Sequence, residues 1–286
     1  MKALTASSLS EDGSVQFVAH WKLILSYDGT GFHGWQVQPG LATGQGTLAE
    51  AIRRVTGETV LPQGSGRTDA GVHALAQVAS FALEAAIPPQ NLLRALNAVL
   101  PPSIRVLSAQ QVPPDFHARH SAVRKTYEYR IFERRSCEEP DGPDRICPPF
   151  LAPYVWDCRW PLDLAAIEDA TDRLLGEHDF VAFAASDPDR SIREESSSES
   201  FNTIRTILDS SWARTPETLV YRITGSGFLH HMVRNIVGTL VEVGRGALLP
   251  TDIDRILASR DRSNAGPTAP ASGLFLVSVE YPEVTS

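Results

Sequence analysis

The strongest constraint on the fold is the order of strand-like and helix-like segments in the first half of the chain. Apolar runs at 21–29, 73–83 and 103–112 are short and bounded by turn residues, which is typical of buried strands. Residues 58–63 are a further candidate for a short strand. The segments between these runs decide how the strands are connected.

Two of those connecting segments carry apolar residues at helical spacing. In the first, residues 47–57, Thr47 is a candidate N-cap and Gly57 a stop signal. The second, residues 88–102, is bracketed by prolines and has leucines along one face. The resulting order, β-α-β-β-α-β, is the pattern of a ferredoxin-like fold.

The rest of the chain predicts the same order again. Its elements are a strand at 123–132, a helix at 162–180, two strands within 201–227, a helix at 229–246, a short helix near 251–260 and a strand at 273–282. Two halves with one element order predict an α+β protein with two ferredoxin-like (βαββαβ-type) subdomains related by a pseudo-twofold. We place the subdomains at 21–117 and 118–286, after a flexible N-terminal tail at 1–20.

Composition excludes several classes of protein. Hydrophobic residues make up 42% of the 286 residues, which is enough for a real core. No run of eighteen apolar residues occurs, so no transmembrane helix is expected. The first twenty residues lack the continuous apolar segment of a signal peptide. The three cysteines form no CxxC motif, which argues against a disulfide framework or a zinc site and fits a cytoplasmic protein.

The net charge of −8 argues against a nucleic-acid partner, but the charges are unevenly distributed. Residues 117–135 hold six lysines and arginines against two glutamates. Much of the acid lies at 137–144 and at 186–200, and we expect the latter to be a mobile surface loop. The local potential governs where a phosphate chain binds, although a basic strand can equally be a solvated face.

One glycine-rich stretch, GSGRTDAGVHA at 64–74, has the residue types of a catalytic turn. Asp69 follows Arg67 directly after Thr68, and the flanking glycines permit unusual backbone angles and close approach of a ligand. Arg67 could keep the carboxylate ionised or contact a phosphate. A purely structural turn is the alternative, because an Arg-Thr-Asp tripeptide alone has little specificity.

Residues outside this turn carry weaker signals. His230 and His231 are adjacent on a predicted helix, so they would point about 100° apart and could not both face one metal ion. Arg234 lies off the apolar stripe of that helix, either as a surface group or as a partner for Asp69 or phosphate. Tyr127, on a predicted strand, either packs in the core or stacks on an unpaired base.

Five long segments then identify a family. They are KLILSYDGTGFHGWQVQP (22–39), GSGRTDAGVHALAQVASF (64–81), DFHARHSAVRKTYEYRI (115–131), GFLHHMVRNIVGTLVEVGRG (227–246) and APASGLFLVSVEYP (269–282). In sequence and order they resemble the motifs of the tRNA pseudouridine synthase A family. The chain departs from the family pattern in the acidic, serine-rich residues 186–200 and in its long N-terminal tail.

The resemblance implies an enzyme without cofactor or metal that isomerises uridine to pseudouridine at positions 38 to 40 of tRNA. It implies that the sheets of the two subdomains join and that a basic cleft lies between them. It also implies a homodimer that binds the anticodon stem-loop and the elbow of tRNA, with no membrane partner.

The resemblance also implies roles for single residues. Asp69 matches the essential aspartate, and Arg67 matches an arginine that contacts the flipped nucleotide. Tyr127 matches the tyrosine that stacks on the base, Arg234 the arginine that forms a salt bridge with the aspartate, and Leu274 an apolar residue against the base. We further assign to substrate binding His73, Arg124 and Lys125.

The sequence leaves the chemical route and some rivals open. Asp69 could attack C1′ of the sugar, attack C6 of the base or remove the C2′ proton. A non-catalytic RNA-binding protein, a glycoside hydrolase and a pseudouridine synthase acting on another RNA are the alternative functions. A hydrolase of that kind usually needs two facing carboxylates, whereas the motifs offer one.

Overall fold

The computed structural model describes residues 7–9, 15–135, 143–185 and 202–282. They form an α+β structure with both parallel and antiparallel strand pairs, which confirms the predicted class. The chain divides into two compact units, one of residues 1–123 with 275–286 and one of residues 124–274. The final strand thus belongs mainly to the first unit, whereas the sequence placed it wholly in the second subdomain.

Within residues 19–112 the first unit contains strands and helices in the predicted order, and three further strands add to it. Its elements are β1 (Ser7–Leu9), β2 (Val15–Phe17), β3 (Ala19–Tyr27), α1 (Gly44–Thr56), β4 (Gln63–Gly64), β5 (His73–Leu83), α2 (Pro89–Val99), β6 (Ile104–Val112) and most of β12 (Leu274–Glu280). β3 pairs antiparallel with β6 on one side and β5 on the other, and β4 pairs with β5. The order β6-β3-β5-β4 is that of a ferredoxin-like sheet.

The outer edge of β5 is shared by two partners. β4 pairs with Ser80 and Ala79 near one end of β5, and β12 pairs in parallel with His73 and Ala74 at the other end. The loop 65–72 therefore runs from β4 along this edge to the start of β5. The glycine-rich motif lies in this loop.

Side-chain alternation on β3 builds the core of the first unit. Trp21, Leu23, Leu25 and Tyr27 are buried, while the residues between them are half-exposed. Helices α1 and α2 contribute buried leucine and isoleucine side chains to the same core. This apolar burial is the main stabilising contribution to such a layer of helices on a sheet.

Two predictions about the first unit need correction. Helix α1 begins at Gly44, and its N-cap is Thr43, whose hydroxyl accepts a hydrogen bond from the Gly46 amide, so the prediction of Thr47 as N-cap is wrong. The C-terminal signal is confirmed, because Gly57 has φ +80° and its N–H bonds the Arg53 carbonyl. Of residues 58–63, only Gln63 enters a strand.

The second unit also alternates strands and helices. Its elements are β7 (Arg124–Glu133), β8 (Trp156–Cys158), α3 (Leu164–Asp172), β9 (Gly176–Asp179), β10 (Ile204–Arg214), β11 (Leu219–Gly225), α4 (Met232–Gly244) and α5 (Asp252–Ser259). The strand order is β7-β11-β10-β9, all antiparallel, with β8 parallel to β7.

The predicted helix at 162–180 is wrong beyond residue 172. Gly176 has φ +93°, a conformation that a helix cannot contain, and β9 follows at once as an edge strand against β10. The predicted helix at 229–246 is real but shorter, because it starts only at Met232.

Some predictions fall on parts of the chain with little or no description. Residues 186–200 lie outside the described residues. Within the predicted N-terminal tail, β1 and β2 pair with each other as a two-stranded antiparallel ribbon. Among the described residues, no helix is both long and apolar enough to cross a membrane.

Candidate active site

The loop that carries Asp69 is anchored at its start by two buried polar side chains. The Ser65 amide donates to the carbonyl of Val78 (2.7 Å), and the Ser65 hydroxyl donates to Oε1 of Gln77 (2.6 Å). Nε2 of Gln77 in turn donates to the carbonyl of Gly66 (3.0 Å). Ser65 and Gln77 are both fully buried, so the loop leaves β4 in a fixed direction.

The middle of the loop rests on an aromatic support. The Trp35 amide donates to the carbonyl of Thr68 (3.0 Å), and the Thr68 hydroxyl is 2.8 Å from the hydroxyl of Tyr27. Tyr27 stacks on Trp35 with ring centroids 6.0 Å apart, and burial raises the pKa of Tyr27 to about 12. A Cβ on Gly34 would lie 2.8 Å from the Thr68 carbonyl oxygen, so only glycine allows this close approach.

The backbone around Asp69 is fixed while its side chain remains partly exposed. The Val72 amide donates to the Asp69 carbonyl (3.1 Å), and the Gly71 amide donates to the carbonyl of Phe32 (3.2 Å). Gly71 has φ +80°, as this turn requires. Asp69 is partly exposed and Arg67 is exposed. A rigid main chain that presents a carboxylate and a guanidinium is a preorganised polar site.

His73 closes the loop at the first residue of β5. It is almost fully buried, and its Nδ1 lies 3.0 Å from the Gly29 amide, which donates a hydrogen bond to it. Nδ1 also lies 3.3 Å from Oδ1 of Asp28. The ring stacks on Phe275 with centroids 4.7 Å apart. These contacts join the end of the loop to β12, in addition to any role of His73 toward substrate.

In the second unit, the two tyrosines of β7 differ in their environment. Tyr127 is nearly buried, with its ring edge-to-face against Phe228 at 5.1 Å. Tyr129 is fully buried and donates its hydroxyl to the Pro270 carbonyl (2.8 Å), and burial holds its pKa well above the ordinary value. Tyr129 is therefore a core residue. Arg124, at the start of the strand, is exposed and Lys125 is half-exposed.

Arg234 lies in the first turn of α4 and is hydrogen-bonded to a later segment of the chain. Its Nε donates to the Ala269 carbonyl (2.8 Å), and the Ala269 amide donates to the Arg234 carbonyl (3.1 Å). The side chain is half-exposed. Arg234 is therefore a positioned arginine and not a mobile surface group.

The prediction for the histidine pair is wrong in its geometry. His231 is the N-cap of α4, with φ +58°, so the pair precedes the helix instead of lying on it. The two imidazole rings are only 4.0 Å apart, centroid to centroid. A left-handed residue brings the rings together, whereas consecutive helical residues would separate them.

Leu274 follows a short 3-10 turn at Ala271–Gly273 and begins β12. It is nearly buried. A Cβ on Gly273 would lie 2.7 Å from the Tyr129 ring, so the backbone before Leu274 is packed directly on that tyrosine. The position of Leu274 thus depends on the core of the second unit.

Comparison with known proteins shows to which family the chain belongs. The family model for tRNA pseudouridine synthase matches residues 23–121 and 170–282, well over half of the chain. The chain belongs to the tRNA pseudouridine synthase family. This confirms the resemblance seen in the sequence motifs and the prediction of an isomerase.

Individual relatives agree with the family assignment. The chain is 52% identical over 260 residues to tRNA pseudouridine synthase A of Solibacter usitatus, covering 91% of this chain and 98% of the relative. It is 45% identical over 263 residues to the protein of the same name from Moorella thermoacetica, with 91% and 98% covered. The corresponding protein of Maridesulfovibrio salexigens is 43% identical over 264 residues, with 92% and 90% covered.

The family match and the structure together sort the predicted site residues. Five lie inside the matched ranges, namely Arg67, Asp69, His73, Arg234 and Leu274, and three lie between them, namely Arg124, Lys125 and Tyr127. The structure places Arg67 and Asp69 in one loop that ends at His73, and separately connects Arg234 to Leu274 through residues 269–273.

The sequence patterns did not reveal the residues that support the loop 65–72: Thr68, Gly34 and Trp35 hold its backbone. In the second unit they did not reveal Asn235, which is fully buried and follows Arg234 directly. The available signal was a tryptophan directly after a glycine at 34–35, where the chain approaches another backbone closely.

Proposed function

We propose that this protein isomerises uridine to pseudouridine at positions 38 to 40 of the tRNA anticodon stem-loop, with Asp69 as the catalytic residue. The observation that carries the proposal is the loop 65–72 in a chain of the tRNA pseudouridine synthase family. Its backbone is bonded at Ser65, Thr68 and Gly71, while the carboxylate of Asp69 stays accessible.

The reaction breaks the bond from N1 of uracil to C1′ and forms a bond from C5 to C1′. The proton on C5 is lost and N1 gains one, so no redox partner is needed. The base must first leave the helical stack, which costs a few kcal/mol and costs least where pairing is already weak. An ionised Asp69 would act on C1′, on C6 or on the C2′ proton.

The other site residues are proposed in supporting roles. Arg67 would contact the extruded nucleotide, since a guanidinium matches phosphate oxygens. Tyr127 and Leu274 would pack on the two faces of the uracil, so that the detached base rotates instead of escaping. Arg234 would be the cationic partner that keeps the carboxylate of Asp69 ionised.

Further contacts to tRNA are proposed on the same basis. His73, Arg124 and Lys125 would bind the nucleotide or its phosphates. Arg124 and Lys125 begin a strand within the basic segment 117–135, where positive charge attracts the phosphate chain. We propose no metal or cofactor.

The proposed architecture comprises two ferredoxin-like subdomains with joined sheets and a basic cleft, in a cytoplasmic homodimer. Its support is that β3-β5-β4 in the first unit and β7-β11-β10 in the second pair in the same way: in each set, the strand that comes last along the chain lies between the other two. In each unit a helix also lies, along the chain, between the first two strands of the set, α1 between β3 and β4 and α3 between β7 and β10.

The experiment uses purified protein and an unmodified tRNA transcript with uridine at positions 38, 39 and 40. We expect pseudouridine, mapped by position, only at these sites. The matched control is the same transcript with cytidine at all three, which should remain unmodified. Modification elsewhere in the tRNA, or only in ribosomal RNA fragments, would contradict the proposed site.

A further inference from the structure

Residues 262–274, which run from just after α5 to the first residue of β12, are bound to α4 in part by a buried amide. Asn235 is fully buried, and its Nδ2 donates to the Phe183 carbonyl (2.7 Å). Its Oδ1 accepts from the Thr268 hydroxyl (2.7 Å) and from Nη2 of Arg262 (3.0 Å). One side chain of α4 therefore satisfies three groups from two other segments of the second unit.

The bonds of Asn235 are adjacent in sequence to those of Arg234. Thr268 directly precedes Ala269, whose carbonyl accepts from Nε of Arg234 and whose amide donates back to the Arg234 carbonyl. Where Thr268 is held, the Ala269 carbonyl is held as well. A second connection, from the Gly266 amide to the Thr239 hydroxyl (2.9 Å), keeps the segment along the helix.

We propose that Asn235 is a positioning residue that fixes the guanidinium of Arg234 through Thr268 and the Ala269 carbonyl. The inference rests on the proposed function of Arg234 and goes beyond it. A guanidinium is a planar fork, and its bonds to a carboxylate depend on the direction in which that plane faces. The Ala269 carbonyl occupies Nε and so sets the plane for the other nitrogens.

The test changes the exposed end of this chain of contacts, because a change at the fully buried Asn235 could unfold the protein. Thr268→Val keeps the shape of the side chain but removes the hydroxyl, while Thr268→Ser retains it. The control is Thr215→Val in the β10–β11 turn, where an exposed threonine also loses a hydroxyl bond, here to the Thr218 carbonyl (2.9 Å). All variants are full-length protein.

The readouts are the single-turnover rate of tritium release from 5-tritiated tRNA and the dissociation constant for tRNA. The Thr268→Val variant removes the hydroxyl's bond to Oδ1 of Asn235 and the bond that it accepts from Nη2 of Arg262 (3.2 Å). We expect Thr268→Val to lower the rate by about threefold to tenfold as a result, with tRNA affinity unchanged. Thr268→Ser should restore the rate, and Thr215→Val should leave it unchanged. A merely structural brace would lower stability without this separation of rate from binding.

A double-variant comparison separates this inference from the proposed function. In an Arg234→Lys background, which removes the Nε bond, Thr268→Val should cause no further loss of rate. An additional loss as large as in the wild-type background would overturn the inference, and so would an unchanged rate in the single Thr268→Val variant. An unchanged rate for Arg234→Lys alone would instead refute the proposed role of Arg234.

Discussion

Replacing Gly238 by alanine should destabilise the second unit although alanine favours helices. Gly238 lies inside α4, where a Cβ would meet the Pro267 carbonyl oxygen at 1.7 Å and the Ala269 nitrogen at 3.3 Å. The obstacle is backbone, so the 262–274 segment must retreat by about 1.5 Å to restore an ordinary contact. That movement would break the two bonds between Arg234 and Ala269 and the bond from Gly266 to Thr239.

The expected magnitude follows from these contacts. Three hydrogen bonds at about 1 kcal/mol each amount to a loss of about 3 kcal/mol. Alanine in place of glycine in a helix interior returns about 1 kcal/mol. We therefore expect the free energy of unfolding to fall by about 2 kcal/mol, within the range known for overpacked cores.

The assay is chemical denaturation followed by circular dichroism, with Gly244→Ala as the matched control on the same helix. There the added Cβ would meet the tip of the Ile167 side chain at 2.5 Å, which can change rotamer, so the expected loss is smaller. A Gly238→Ala variant as stable as wild type, or less destabilised than Gly244→Ala, would refute the description of the 262–274 segment as closely packed on α4.

Three further predictions concern Arg67, the cysteines and the buried Tyr27. Arg67→Ala should slow tritium release from 5-tritiated tRNA by at least tenfold through weaker base extrusion, and an unchanged rate would remove Arg67 from the site. Burial raises the pKa of Cys158 to about 11, so little of this thiol is ionised at pH 8. Iodoacetamide at pH 8 should therefore label the half-exposed Cys147 in the folded protein and spare Cys158. Equal labelling of the two cysteines in peptide mass spectra would contradict this. Burial raises the pKa of Tyr27 to about 12 in the folded protein, whereas in the unfolded chain it is about 10. As the pH rises from about 10 to about 12 the unfolded chain therefore loses this proton first, and the stability that Tyr27 contributes below about pH 10 is lost. Tyr27→Phe should make that alkaline fall shallower, and an unchanged slope in denaturation curves would count against the buried Tyr27.

The sequence predicted helices and strands accurately where the pattern of apolar residues was uninterrupted. β5 begins and ends at His73 and Leu83, as expected from the apolar run. The start of α1 was missed because Gly44 and Gly46 are poor helix formers. Glycine fits at position 44 because the helix packs against Trp35 there: a Cβ on Gly44 would lie 3.0 Å from that ring.

The errors in the second unit have a common physical cause. The helical pattern of 162–180 extends over residues that form β9 in the structure. These residues form a strand because pairing with β10 outweighs their local preference. The left-handed backbone of His231 likewise leaves no trace in hydrophobic periodicity. Both are decided by tertiary contacts, which a periodic pattern does not contain.

The assignment of Asp69 and Arg67 to the candidate site came from the family resemblance and stays a prediction, since an Arg-Thr-Asp tripeptide among glycines has little specificity by itself. The support of the loop was not predicted. The residues that hold them act over long separations in the chain, as in the bond from Tyr27 to Thr68, 41 residues apart, and that from Asn235 to Thr268, 33 apart. Single-sequence patterns carry no information on such pairs.

The most direct test of the catalytic role of Asp69 compares wild-type protein with Asp69→Asn in one measurement of tritium release from 5-tritiated tRNA. The amide keeps the shape of the side chain but cannot act as nucleophile or base. We expect no release by the variant above background, while filter binding should show tRNA affinity within about threefold of wild type, since the loss of one charge from a multi-contact interface changes affinity little. Release at the wild-type rate would contradict a catalytic role for Asp69.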